Sequence, residues 1–299
     1  MKKLLLILFA LVLCLFVFAA CGESCVAHKF GEWMQTQAPT KTEKGVELRI
    51  CSVCSETEEH SVPALGSVGL TYMPQSGTNT CIIMGIGTCT DTEIYIPEKI
   101  GELTVIGIKE EAFKDCTTLT SIEIPSSVTS IGRLAFSGCT SLTSIKIPSS
   151  VTSIGDHVFF YCTSLTSIKI PGSVTSIGDR AFDDCTSLAS VTFGDNSQLT
   201  SIGDDAFYYC TSLTSINIPY GVKSIGEYAF YHCSSLTSIE IPGSVTRIGE
   251  SAFCDCTRLI RIDYTGTKAQ WNAISKGFNW KYNTTGFIVY CTDGNISIG

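Results

Sequence analysis

Sixteen cysteines and four histidines carry most of the side-chain chemistry open to this 299-residue chain. Apart from Cys14 and Cys21, near the N-terminus, the cysteines fall into three sets. In the first, Cys25-Val26-Ala27-His28 and Cys51-Ser52-Val53-Cys54 are two pairs of i, i+3 spacing separated by 22 residues. That pattern suits a structural zinc ion held tetrahedrally by Cys25, His28, Cys51 and Cys54. Four protein ligands close such a site, so it would staple a small module and leave no position for a substrate. His60 is a spare ligand. The rival chemistry is a disulfide, either Cys51–Cys54 or Cys25 with one of them, since an exported chain meets oxidising conditions; free thiols are the remaining alternative. A redox-active Cys-x-x-Cys lacks its usual βαβ context here.

The second set is a ladder: Cys116, Cys139, Cys162, Cys185, Cys210, Cys233 and Cys256, spaced 23, 23, 23, 25, 23 and 23 residues. One cysteine per repeat at a fixed inward position reads as packing by a small, buried thiol. Neighbouring rungs would have parallel Cβ vectors, which disfavours serial disulfides. The third set, Cys81, Cys89, Cys254 and Cys291, has no assigned role. The remaining histidines, His157 and His232, sit at variable outward positions with no unique nucleophile beside them. No glycine-rich phosphate loop joins a strand to a helix. These residues predict no enzyme.

The elements that position them follow from the repeat Ser-Ile-Gly-x-x-Ala-Phe-x-x-Cys-Thr-Ser-Leu-Thr-Ser-Ile-x-Ile-Pro. Ile145 and Ile147 share one face of a strand, with Ser144 and Lys146 on the other. Pro148 ends the strand, and Gly155 is read as a permissive bend. Val158, Phe159 and Cys162 fill the far wall. One such unit buries too little apolar surface to offset its ordering entropy, so neighbouring units must stack. The predicted fold is a mainly β, right-handed solenoid with one short strand per 23-residue repeat, preceded by a small Cys/His module. The odd 25-residue spacing coincides with the altered stretch Phe193–Gln198, which lacks the usual Ile-Pro, and a loop there can absorb a two-residue insertion.

The chain divides by composition into five parts. Residues 1–20 resemble a lipoprotein signal peptide: Lys2 and Lys3, an apolar run from Leu4 to Ala20, then Cys21 as the lipidated residue. Residues 21–66 hold the Cys/His module, 67–105 an N-terminal cap, 106–263 seven repeats, and 264–299 a C-terminal cap. Within the last, Lys268–Lys276 is predicted helical, with Trp271 and Ile274 on one face. The formal net charge of −8, without a Lys/Arg cluster, argues against nucleic-acid binding. The lipid at Cys21 would anchor the chain to a membrane; the alternative is that the apolar run stays as an uncleaved N-terminal membrane helix, at the short limit for spanning.

The Ile-Gly-x-x-Ala-Phe-x-x-Cys-x-x-Leu-x-x-Ile units resemble the BspA-like leucine-rich-repeat family of bacterial surface proteins. Val158 in place of Ala, and Thr192-Phe193 in the strand, stay within that pattern. The resemblance implies a cell-surface, membrane-anchored protein that adheres to protein or cell-surface ligands. The alternatives are a passive envelope scaffold with bacterial partners only, or the accessory part of a secreted enzyme. The positions that vary inside the constant frame point to where a ligand would dock. Phe160, Tyr161, Tyr208, Tyr209, Tyr228, Tyr231 and His232 are the aromatic candidates, since exposed tyrosines are enriched in binding hot spots.

Overall fold

A computed structural model describes residues 29–52, 55–62 and 64–299. The leader at 1–20, the lipidation residue Cys21 and three of the four proposed zinc ligands, Cys25, His28 and Cys54, lie outside the described residues. Among the described residues no helix is long and apolar enough to cross a membrane. The chain forms two compact units, one ending at Ala64 and one spanning Leu65–Gly299.

The smaller unit is a three-stranded antiparallel sheet of Met34–Gln37, Gly45–Ile50 and Thr57–Val62. Arg49 holds it together. Its guanidinium lies 4.8 Å from the Phe30 ring and 4.5 Å from the Trp33 ring, and it pairs with Glu58. Cys51 is buried beside this sheet. His60, the spare ligand, turns its Nδ1 to Glu47 at 3.4 Å and its ring to Trp33.

The larger unit is a solenoid of nine coils, each contributing a parallel strand to one sheet: Glu93–Tyr95, Ser121–Glu123, Ser144–Lys146, Ser167–Ile170, Ser190–Phe193, Ser215–Asn217, Ser238–Ile241, Arg261–Tyr264 and Phe287–Cys291. A final antiparallel strand, Gly294–Ile298, closes the edge. The register is repeat on repeat, with Ser144 beside Ser121 and Ile145 beside Ile122. Ile and Leu side chains therefore stack on their own copies. Beyond the one strand read from the sequence, a second ladder of two-residue strands runs along another wall: Ser176–Ile177, Ser201–Ile202, Ser224–Ile225, Arg247–Ile248 and Ser275–Lys276.

The abundance of Ser and Thr has a physical cause in this stacking. Thr143 and Thr166 donate their hydroxyls to the Thr carbonyls one coil back, and Ser173 and Ser244 do the same to Val carbonyls. Asp156, Asp179 and Asp204 each accept the backbone N–H of the next coil's equivalent residue. Polar side chains thus satisfy the backbone groups that turns would otherwise orphan.

At the C-terminal end the repeat is interrupted by the helix Lys268–Ala273, opened by a capping box between Thr267 and Gln270. It is shorter than the predicted 268–276. Ile274 turns extended, and Ser275–Lys276 leave the helix to pair with Arg247–Ile248, which carries the second strand ladder into the last coil. Tyr264, Trp271, Trp280 and Phe287 make consecutive edge-on ring contacts of 5.2, 6.1 and 5.9 Å across the last coils.

The Ile-Gly glycines do not serve as bends. None of Gly132, Gly155, Gly178, Gly203, Gly226 and Gly249 has a positive φ, nor has Gly277, which follows Lys276 in the last coil. Most are needed because the preceding coil's backbone passes too close for any side chain. At Gly226 a Cβ would sit inside van der Waals contact of the Gly203 carbonyl group. At Gly155 the nearest atoms would be 3.6 and 3.7 Å away, an ordinary contact. We expect Gly226→Ala to destabilise the protein by about 3 kcal/mol, as overpacking against rigid backbone does. Gly155→Ala should be neutral or stabilising by about 0.4–1 kcal/mol, because the unfolded chain loses freedom. Urea unfolding of the two variants separates the readings; equal losses would restore a conformational role for both.

Candidate functional site

Each coil presents two consecutive residues just before its ladder cysteine, and the backbone makes this edge rigid. The residue next to the cysteine is left-handed in every repeat: Asp115, Gly138, Tyr161, Asp184, Tyr209, His232 and Asp255, with φ between 54° and 73°. Its N–H donates to the carbonyl of the partner residue one coil on: Tyr161 to Asp183, Asp184 to Tyr208, Tyr209 to Tyr231, His232 to Cys254. The result is a hydrogen-bonded ridge whose side chains are free to vary.

On this ridge the structure brings five of the seven aromatic candidates together. Tyr208 stacks on Tyr231 at 4.9 Å, and Tyr209 stacks on His232 at 4.4 Å. Tyr208 and Tyr209 are 4.8 Å apart, and Tyr228 meets Tyr231 edge-on at 5.9 Å. All five are half-buried. Phe160 and the exposed Tyr161 form a separate rung with His157, and the rung Asp183-Asp184 stands between them and the tyrosines.

Carboxylates flank the cluster on both sides. Asp183 is almost fully buried, with its Oδ1 lacking a partner and Arg180 no nearer than 4.0 Å. Burial, reinforced by the Asp184 and Asp205 charges, pushes its pKa up to about 7. On the other side Asp255 is held low, first by the Asn283 amide and then by the Tyr231 hydroxyl. The same hydrogen bond to Asp255 pushes the Tyr231 phenol up to about 12. The sequence places these acids in the same variable columns as the rings but gives them no role of their own. Nor does it give one to Tyr282, which is 64% exposed and takes the next position along the ridge. The helix-bearing insertion offsets it to 28 residues past Cys254, though left-handed Asn279 and Asn283 mark the frame.

The ladder cysteines are buried free thiols, apart from the half-buried Cys116. From Cys139 to Cys256, each thiol donates to the carbonyl of the phenylalanine one coil back at 3.1 or 3.2 Å. Burial raises their pKa values well above the ordinary thiol range. Such thiols are inert as nucleophiles and as metal ligands. Of the unassigned cysteines, Cys81, Cys89 and Cys254 are buried, and Cys291 is half-buried on the last coil's strand.

The family model for BspA type leucine rich repeat regions matches six copies, over residues 88–198 and 195–278. The chain belongs to the BspA-type leucine-rich-repeat family. The BspA-type repeats are also similar to three solved structures. A leucine-rich-repeat protein of T. pallidum is 27% identical, over 70% of this chain and 83% of its own, with a TM-score of 0.48. The pneumococcal vaccine antigen PcpA is 17% identical, over 74% and 87%, with a TM-score of 0.49. A leucine-rich cell surface protein of Faecalibacterium prausnitzii is 24% identical, over 70% and 96%, with a TM-score of 0.24. A comparison with curated proteins returns no match.

Proposed function

We propose that this BspA-type protein is exported, anchored at the cell surface through Cys21, and binds a protein or cell-surface ligand along the ridge. The observation that carries this reading is the pair of ring stacks, Tyr208 on Tyr231 and Tyr209 on His232, fixed on hydrogen-bonded rungs. Pre-stacked rings lose little side-chain freedom on binding, so the contact area they offer converts efficiently into affinity. Asp184 and Asp255 beside them add an acidic rim that favours a basic partner surface. The leader and the low content of basic residues are consistent with export and with a protein rather than nucleic-acid partner. Binding rather than catalysis is favoured by the inert thiols and by His232, whose ring is occupied in stacking.

The test compares the exported protein with a variant carrying Tyr208→Ala, Tyr209→Gly and Tyr231→Ala. Glycine is chosen at 209 because that residue is left-handed, and Gly138 already occupies the equivalent position. Binding to cells and immobilised matrix proteins is expected to weaken about thirty-fold or more, the cost of losing a hot spot of about 2 kcal/mol. Equal binding by both proteins removes the ridge from the account. Capture of envelope partners alone would favour the scaffold reading.

A further inference from the structure

Because the frame is so regular, departures from it stand out, and several fall in the same two coils. The outward row of the main sheet runs Tyr95, Glu123, Lys146, Lys169, Thr192, Asn217, Glu240, Asp263 and Tyr290. Between the two end coils, Thr192 and Asn217 are its uncharged members. In the coil of Thr192 the usual Ile-Pro is replaced by Phe193-Gly194, and the two-residue insertion follows. In the coil of Asn217, the position after the proline is Tyr220, where other coils have Ser126, Ser149, Gly172 and Gly243. Tyr220 is 81% exposed. A repeat evolving only to stack has no reason to place a naked aromatic ring there.

These departures line one cleft of about 890 Å³, within the range of small-molecule sites. Thr192 and Asn217 come from the sheet, and Asn196 and Tyr220 from the turns. Thr214 joins them. Its equivalents Thr120, Thr143, Thr166 and Thr237 donate their hydroxyls to the preceding coil. Thr214 has no such bond among the described residues, and neither do the side chains of Ser215 and Asn217 make one. The cleft therefore offers several uncommitted hydroxyls and amides, one exposed ring, and a single carboxylate, Glu240, at its edge.

We propose that this cleft binds an uncharged oligosaccharide, independently of the ridge. A sugar presents a C–H face that stacks on an aromatic ring and hydroxyls that exchange hydrogen bonds with Thr, Ser and Asn. An ionic ligand finds almost no counter-charge there. A protein segment would find few apolar anchors, since the lining is mostly polar and Phe193 is half-buried. The loss of charge at Thr192 and Asn217 removes groups whose desolvation would oppose a neutral ligand.

The experiment applies the protein to immobilised panels of uncharged and of sialylated or sulfated oligosaccharides. Tyr220→Ser and Thr192→Lys each restore a residue type that other coils carry at the same position, so both variants should fold. Lys146→Thr, on the same sheet row outside the cleft, is the control. Retention of uncharged glycans is expected to fall about ten-fold or more in the first two variants and to persist in the control. The proposal is overturned if no uncharged glycan is retained, if only acidic ones are, or if both variants bind like the parent protein.

Discussion

Raising the pH above about 8.5, the ordinary thiol pKa, is expected to erode stability by up to about 8 kcal/mol per pH unit. The cause is the ladder of Cys139, Cys162, Cys185, Cys210, Cys233 and Cys256, whose pKa values burial raises. In the folded protein these thiols stay protonated, each donating to a phenylalanine carbonyl. In the unfolded chain they ionise at their ordinary pKa. The unfolded state thus binds fewer protons, and stability falls as pH rises, with each thiol contributing about 1.4 kcal/mol per pH unit. The stabilisation is complete below the unfolded pKa and is lost as pH climbs toward the folded one. Urea unfolding at a series of pH values measures the slope directly. Replacing Cys185, Cys210 and Cys233 by alanine should roughly halve it. A stability that does not change across this window would mean the thiols are not sealed in the core.

The second large effect concerns the ring column beside the thiols. Phe113, Phe136, Phe159, Phe182, Phe207, Phe230 and Phe253 are fully buried and stacked nearly parallel, with centroids 5.2 to 5.6 Å apart. Phe182→Ala in the middle of the column should cost about 3–5 kcal/mol, from lost burial plus the cavity left between two rigid coils. The position matters as well as the size. Each coil contacts only its neighbours, so a weak central interface divides the stack into two shorter ones. Unfolding of Phe182→Ala should therefore broaden or split into two transitions, whereas Phe113→Ala, near one end, should leave one cooperative transition. Calorimetry distinguishes the cases. A single sharp transition in both variants would show that coupling extends beyond nearest neighbours.

Much of this protein follows from its sequence alone. The 23-residue period, the inward Ile, Leu, Phe and Cys, and the strand ended by proline are local patterns, and local patterns need no coordinates. The reading of the ladder cysteines as packing groups rested on the same periodicity, and their thiols are buried as expected. Nine coils rather than seven appear because Glu93–Tyr95 and Phe287–Cys291 pair like repeats without looking like them. Sheet pairing is a backbone property and tolerates such divergence.

The tertiary structure alone decided matters that depend on distances between residues some 22 to 28 positions apart. It showed that most of the Ile-Gly glycines yield to a neighbouring backbone and not to a bend. It buried Asp183 beside the tyrosines with its Oδ1 unpartnered, although its neighbours in that column, Phe160 and Tyr208, are half-buried. It also gathered Thr192, Asn217 and Tyr220 around one cleft. The physical reason is common to all three. A coil's own sequence sets which side chains face in or out, but what each outward group meets is set by the coil above and the coil below.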